Sequence, residues 1–190
     1  MRAIVGEIEH TGGVRRERDG RLVRDARRAD LPAIVDIYNS AIASRSATAD
    51  VEPWHADRRE GWFADHLPNR RPLWVAVDLM GDVEGWLSFQ DFSGGNGYSA
   101  TAEVRVYVHP RRRRSGVGAQ LLDLAVDPTT GLNLRTLLAF VFTTNAPGLA
   151  LFTARGFEQW GLLRGVATFD DGDIDVSVMG RHIARGATDP

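Results

Sequence analysis

The sequence contains no cysteine and no lysine; all 23 basic residues among its 190 are arginine. Without cysteine there is no disulfide, no thiolate metal site, no iron–sulfur cluster and no thiol nucleophile. Without lysine, a Schiff base to a cofactor, a Walker-A phosphate clamp and a kinase-type phosphate anchor are excluded. Anion binding therefore falls to arginine forks and backbone N–H groups. No apolar run approaches the roughly 18 residues that span a bilayer. The opening MRAIVGEIEH has too short an apolar stretch for a signal peptide, so a cytoplasmic protein with no membrane partner is expected. Charge of one sign is lacking too: 25 acidic residues against 23 basic leave a net −2, which argues against a nucleic-acid partner. The five histidines show no paired i, i+4 arrangement, and no metal site is expected.

What is present is a normal globular composition, 43% apolar, in a length that suits one domain with an appendage. Residues 1–20, rich in arginine and glycine, read as an N-terminal extension; residues 21–183 read as the domain and 184–190 as a tail. Within the domain the apolar period changes in an orderly way. A strand at 22–25 leads to a helix that Asp30 can cap, with Leu31, Ile34, Ile37, Tyr38 and Ile42 on one face. A second helix is expected at 57–66, burying Trp62 and Phe63, and strands at 73–77 and 83–89. Residues 101–108 alternate, with Val104, Val106 and Val108 on one side and Glu103, Arg105 and Tyr107 on the other. A helix from 119 to about 126, a buried strand at 134–142, a helix at 146–155 and a hairpin of 159–166 with 174–181 complete the chain. The order β-α-α-β-β-β-α-β-α-β-β indicates an α/β (α+β) fold, a mixed central sheet flanked by helices.

The most informative stretch follows the alternating strand: His109, Pro110, four arginines from Arg111 to Arg114, then Ser115, Gly116, Val117, Gly118 and Ala119. A strand runs into a turn of small residues, and a helix starts directly after it. Such a turn gathers unpaired N–H groups and the positive end of a helix dipole, which suits a pyrophosphate. Arg113 and Arg114 can add charge-assisted contacts, and the glycines let the anion approach the backbone. A Rossmann fingerprint is absent.

The spacing Arg113-x-x-Gly116-x-Gly118 resembles the acetyl-CoA loop of the GNAT acetyltransferase superfamily. From about residue 22 to 183 the chain is similar to its phosphinothricin N-acetyltransferase branch: residues 24–34 followed by Ile37-Tyr38-Asn39, Glu103 ahead of residues 106–110, and Asn145 heading a helix that ends Ala154-Arg155-Gly156-Phe157. The resemblance implies the GNAT fold, acetyl-CoA as co-substrate, a small-molecule amine as acceptor and a homodimer. It implies that backbone groups of Val106 and Val108 hold the pantetheine arm. Arg113, Arg114, Ser115, Gly116, Val117, Gly118 and Ala119 would cradle the pyrophosphate, and Asn145 would hydrogen-bond the cofactor further along. Glu103 matches the branch's general base, and a carboxylate suits the task because only the free base of an amine attacks a thioester. An ion pair with Arg105 is the competing role for Glu103. With no cysteine to carry an acetyl group, direct transfer in a ternary complex is expected. Tyr38 lies in a region that shapes acceptor sites in the superfamily, and Trp86 and Phe89 are candidates for the pocket wall, with core packing as the alternative.

Two departures bear on the substrate. Phe152 stands where the branch places a histidine or tyrosine, so thiolate protonation falls to Tyr107, Tyr98 or water. The final hairpin reads Thr168-Phe169-Asp170-Asp171-Gly172-Asp173-Ile174-Asp175, retaining the branch's aspartate as Asp175 but replacing its basic residues by acidic ones. The expected acceptor is an amino acid or analogue such as phosphinothricin or methionine sulfoximine. The alternatives are a cationic amine drawn by the aspartates, a peptide amine, or a non-catalytic acetyl-CoA-binding module.

Overall fold

Eight strands form one sheet in the computed structural model, which describes residues 14–18, 20–93, 95–170 and 172–183. They are β1 (Val14–Arg18), β2 (Arg21–Asp25), β3 (Leu73–Val77), β4 (Val83–Asp91), β5 (Thr101–Val108), β6 (Thr136–Phe142), β7 (Glu158–Phe169) and β8 (Gly172–His182), in the order β1-β2-β3-β4-β5-β6-β8-β7. Every neighbouring pair is antiparallel except β5 and β6, so the sheet is mixed, as the sequence pattern indicates. The helices are α1 (Leu31–Ala43), α2 (Glu60–Ala64), α3 (Val117–Ala125) and α4 (Ala146–Thr153). Among the described residues no helix is long and apolar enough to cross a membrane.

Each face of the sheet carries its own core. Trp74, Leu87, Phe89, Val104, Leu121, Leu122 and Phe152 pack together on the face of α3 and α4. Ile34, Tyr38, Val75, Trp86 and Tyr107 pack on the face of α1 and α2. β3 serves both, which is why its five residues LWVAV are apolar without alternation and all buried.

The differences from the sequence reading have local causes. Residues 14–18 pair with β2 as an edge strand, although their charged sequence carries no strand period. Residues 1–13, 19 and 184–190 of the expected extension and tail lie outside the described residues. Asp30 does not cap α1. Its carboxylate accepts two hydrogen bonds from the Arg24 guanidinium, at 2.6 and 2.9 Å, and one from the Arg27 amide at 2.7 Å. A buried arginine needs such pairing, and it claims the oxygens a cap would use. α2 is shorter than expected because residues 56–58 form a separate 3-10 turn; it buries Phe63 and leaves Trp62 half-buried. The closing hairpin is longer, its strands meeting at Phe169 and Gly172.

Candidate active site

β5 and β6 pair for only three residues each, Thr101 with Thr136, Ala102 with Leu137 and Glu103 with Leu138, and then part. β6 continues along β8 to Phe142, while β5 continues along β4 to Val108. Residues 104–108 thus keep a strand partner on one edge only. An open edge offers its backbone groups to any extended ligand that lies along it. The gap is a narrow cleft lined by Val104, Val106, Ala139, Val141, Asn145 and Phe152, and it also reaches Ala47, Arg105 and Tyr107 on the opposite face. It therefore connects the two faces of the sheet at Val106, where the pantetheine arm is expected.

On the α3 face the strand ends at Val108, and the chain turns through a 3-10 segment, Pro110–Arg112, braced by the Arg111 amide donating to Nδ1 of His109 at 3.2 Å. Arg114 (φ +61°) and the helix-capping Gly116 (φ +85°) take left-handed conformations, and α3 starts at Val117. The first intrahelical bond inside α3 runs from the Gln120 amide to the Gly116 carbonyl at 2.9 Å. The amides of Val117, Gly118 and Ala119 precede it and have no carbonyl to meet within the helix. The last three of the four arginines divide. Arg112 is fixed by Glu84 at 2.9 Å and Asp78 at 3.4 Å. Arg113 and Arg114 are exposed, and their guanidiniums have no partner among the described residues. A concentration of free amides, a helix N-terminus and two uncommitted guanidiniums fits a pyrophosphate.

Three details of this loop differ from expectation. Ser115 spends its hydroxyl on the Arg112 carbonyl at 2.6 Å. Gly116 is required by its positive φ, a strain for other residues. Gly118 packs closely under α4: a Cβ there would lie 3.0 Å from the end of the Leu151 side chain, which would have to give by a few tenths of an ångström. Asn145 caps α4, its Oδ1 accepting from the Gly148 amide at 3.0 Å, which leaves its amino group for a ligand in the cleft. Phe152 is buried edge-on to Phe157, and no acid replaces it at that position.

On the other face stand Glu103, Arg105 and Tyr107. The Arg105 Nε donates to Glu103 Oε1 at 2.6 Å, so the competing ion pair exists; the Glu103 side chain is 15% exposed and that of Arg105 is 40% exposed. Burial works against the Arg105 charge, but the Glu103 bond and the nearby Tyr107 and Tyr38 outweigh it and hold the guanidinium above its ordinary range. Tyr107 donates to the Ala47 carbonyl at 3.3 Å and packs against Trp86 and Tyr38, with ring centroids 4.6 and 4.9 Å away. Burial, then the neighbouring Tyr38, pushes the Tyr107 phenol well above its usual range. Tyr38 is pushed up to about 12, chiefly by burial. Both are neutral O–H donors at any working pH. The Tyr38 proton goes to Asp50 at 2.8 Å, so Thr48, 2.6 Å from the same oxygen, donates to it.

The expected acceptor contacts separate on this map. Trp86, 1% exposed with its Nε1 donating to the Ile34 carbonyl at 3.1 Å, and Tyr38, 2% exposed, form the buried floor beneath Glu103 and Arg105. Phe89 does not join them: strand alternation puts it on the α3 face, fully buried, edge-on to Trp74 at 4.8 Å. Asp175 is bound into its hairpin, where Oδ1 accepts from the Gly165 amide at 2.8 Å and steadies the bulge in β7. Asp170, almost wholly exposed, lies 3.5 Å from Arg45; Asp171 is outside the described residues. Tyr98 sits half-exposed against Phe92, in a 3-10 turn before β5.

Sequence reasoning missed the other walls. Ala47, Thr48, Asp50 and Trp54 come from a loop without periodicity, and His66 follows a helix of five residues. His66 Nδ1 donates to the Trp62 carbonyl at 2.7 Å, and its Nε2 is buried without a partner among the described residues. Among the described residues no group of three or more histidines and carboxylates is placed to hold a metal.

Comparison with known proteins agrees with this geometry. The model of the acetyltransferase (GNAT) family matches residues 33–157. YwnH of Bacillus subtilis, provisionally named a phosphinothricin acetyltransferase, is 44% identical over 162 residues, 85% of this chain and 99% of YwnH. The L-methionine sulfoximine/L-methionine sulfone acetyltransferase of Pseudomonas aeruginosa is 34% identical over 139 residues, 73% of this chain and 81% of that protein. The crystal structure of a phosphinothricin acetyltransferase from Sinorhizobium meliloti in complex with acetyl-CoA superposes with a TM-score of 0.81 at 28% identity, covering 90% of this chain and 92% of that one.

Proposed function

Given that the chain belongs to the acetyltransferase (GNAT) family and is an acetyl-CoA-dependent N-acetyltransferase of a small-molecule amine, we propose that its acceptor is an α-amino acid or close analogue, such as methionine sulfoximine or phosphinothricin, with Glu103 as general base. The observation that carries this reading is the parting of β5 from β6 directly after Glu103, which opens a cleft that reaches both the α3 face and the face of Arg105 and Tyr107.

Acetyl-CoA supplies an activated thioester. Free backbone on β5 at Val106 and Val108 would hold its extended arm, the amides of Gly116, Val117, Gly118 and Ala119 with Arg113 and Arg114 its pyrophosphate, and the Asn145 amino group the stretch between. The acceptor amine enters from the α1 face. Its nitrogen forms a bond to the acetyl carbon as the carbon–sulfur bond breaks, and Glu103 takes the N–H proton. Tyr107 supplies a neutral O–H donor on the cleft wall. The departing thiolate, a fairly good leaving group, takes up its proton from this phenol or from water.

The names of the relatives support an amino-acid acceptor. Asp175, the hairpin aspartate that the branch retains, is committed to the Gly165 amide and not presented to a cationic amine. The reading extends to a cytoplasmic homodimer, for which the exposed Trp160, Leu162, Leu163 and Val166 of β7 offer apolar surface for a second copy to cover.

Thiol release from acetyl-CoA with a panel of amines tests the reading. Methionine sulfoximine and phosphinothricin should turn over far faster than polyamines or aminoglycosides. Glu103→Gln should lower kcat by about 10²- to 10⁴-fold while leaving acetyl-CoA affinity unchanged. A preference for polyamines would overturn the acceptor class, and near-normal kcat in Glu103→Gln would overturn the base.

A further inference from the structure

The molecule contains two arginine–carboxylate pairs of contrasting construction. Arg24 and Asp30 form a closed fork: two guanidinium nitrogens meet two carboxylate oxygens at 2.6 and 2.9 Å, and both side chains are only 9% exposed. Arg105 and Glu103 form an open one. A single bond joins Nε to Oε1, while Nη1 and Nη2 of Arg105 and Oε2 of Glu103 meet no protein partner among the described residues. A pair serving only stability would gain by closing, as the first does. Arg105 lines the cleft with its side chain 40% exposed, and Glu103, 15% exposed, stands where β5 and β6 part.

An α-amino acid carries an amine and a carboxylate on one carbon, so a site that reads it needs a carboxylate and a cation side by side. Glu103 and Arg105, two residues apart on one face of β5, have that arrangement. Their cross-strand neighbours on β4 are Gln90 and Ser88, which bring no charge of their own. His66, whose imidazole senses Arg105, is held below its ordinary value chiefly by burial, with the guanidinium adding to it.

Resting on the amino-acid reading above, we propose that Arg105 is the specificity residue of this enzyme, binding the acceptor's carboxylate through Nη1 and Nη2 while Glu103 receives the proton of the amine on the same carbon. A planar fork matches a carboxylate in a way that a lysine ammonium does not. The pair thus does two tasks with one set of atoms: Nε positions the base, and the Nη groups select the substrate.

The test uses two acceptors that differ only in the carboxylate, L-methionine sulfoximine and its decarboxylated amine, with the intact enzyme and with Arg105→Gln and Arg105→Lys. The readout is the ratio of kcat/KM between the two acceptors. Both use Glu103, so any disturbance of the base cancels in the ratio. The natural chain should favour the carboxylate-bearing acceptor by about 10²-fold. Arg105→Gln should bring the ratio near one, chiefly by raising KM for the amino acid, and Arg105→Lys should keep part of the preference. Calorimetric titration with acetyl-CoA verifies that each variant is folded. If the natural chain prefers the decarboxylated amine, or acetylates neither, the amino-acid reading and this proposal fall together. If it prefers the amino acid and Arg105→Gln keeps that preference, Arg105 is only a structural partner of Glu103, and this proposal alone is overturned.

Discussion

The two faces of the parted sheet are built on opposite plans. On the α3 face, the features proposed to hold the cofactor come from one unbroken stretch, residues 106–119, and consist mainly of backbone: the open edge of β5, the turn at Gly116 and the first amides of α3. On the α1 face, the site is assembled from α1, the 47–54 loop, α2, β4 and β5, and consists of side chains. Tyr38, Trp54, Trp62, Trp86 and Tyr107 form a continuous aromatic floor with ring centroids 3.9 to 6.1 Å apart, and Glu103 and Arg105 stand beside it. A ligand common to a whole family can be held by backbone geometry, which tolerates much change in side chains. A ligand that differs from member to member has to be read by side chains, which substitution can alter singly.

If the faces divide the labour in this way, damage to one should leave the other's parameters intact. Glu103→Gln and the Arg105 variants should act on kcat and on acceptor choice without moving acetyl-CoA affinity. The converse is the double replacement Arg113→Ala with Arg114→Ala. Neither guanidinium supports the fold, since both are exposed and unpaired among the described residues. Losing two charge-assisted contacts should raise KM for acetyl-CoA by about 10- to 100-fold. Steady-state kinetics with either substrate varied should show the acceptor KM and the acceptor preference unchanged. A shift in acceptor preference would mean that the loop reaches across the cleft and that the division fails.

A smaller effect is expected from Tyr38→Phe, which leaves the aromatic floor in place and removes one buried hydroxyl. Asp50 keeps its bond from the Trp54 indole at 2.8 Å, whereas the buried Thr48 hydroxyl still accepts from the Asp50 amide at 3.2 Å but loses the acceptor of its own proton. Stability should fall by about 1 kcal/mol, read as a fall of roughly 2–4 °C in Tm. Acceptor KM should rise modestly and acetyl-CoA KM should not move. A larger loss on the acetyl-CoA side would show that the floor supports both ligands.

The same division explains what could be read from sequence. The strand, turn and helix start at 106–119 were legible because they follow one another within one segment, and the alternation of β5 assigned Glu103, Arg105 and Tyr107 to one face correctly. Phe89 was misassigned for a related reason. It lies three positions from Trp86 on β4, an odd spacing that puts the two rings on opposite faces of a strand. The role of Gly118 was invisible because the atom it makes room for, in Leu151, is far away in sequence. Asp30 was read as a cap from its neighbours, whereas a buried Arg24 on the adjacent strand decided its partner. The loop at 47–54 had no period to read; its residues become meaningful only when Tyr38 brings Thr48 and Asp50 together.

The smallest expected effect concerns His66, which underlies the acceptor face. Burial, reinforced by the positive charge of Arg105, holds its imidazole below the usual value of 6.5, and the Trp62 carbonyl and Asp65 only partly oppose this. Above pH 6.5 the ring is neutral in both folded and unfolded chains and contributes nothing to the pH dependence. As pH falls below 6.5 the unfolded chain takes up a proton that the folded chain refuses, so stability is lost, and the loss stops growing once pH passes below the folded value. Between pH 6.5 and 5.5 it amounts to at most about 1.4 kcal/mol. Thermal unfolding at pH 7.5 and 5.5 should therefore show a larger fall in Tm for the natural chain than for His66→Gln, which keeps a donor for the Trp62 carbonyl but cannot take up the proton. Acetyl-CoA affinity should change equally in both proteins over that interval, since the imidazole lies on the face that the α3 loop does not share. An equal fall in Tm would assign the acid sensitivity to the carboxylates instead of to His66.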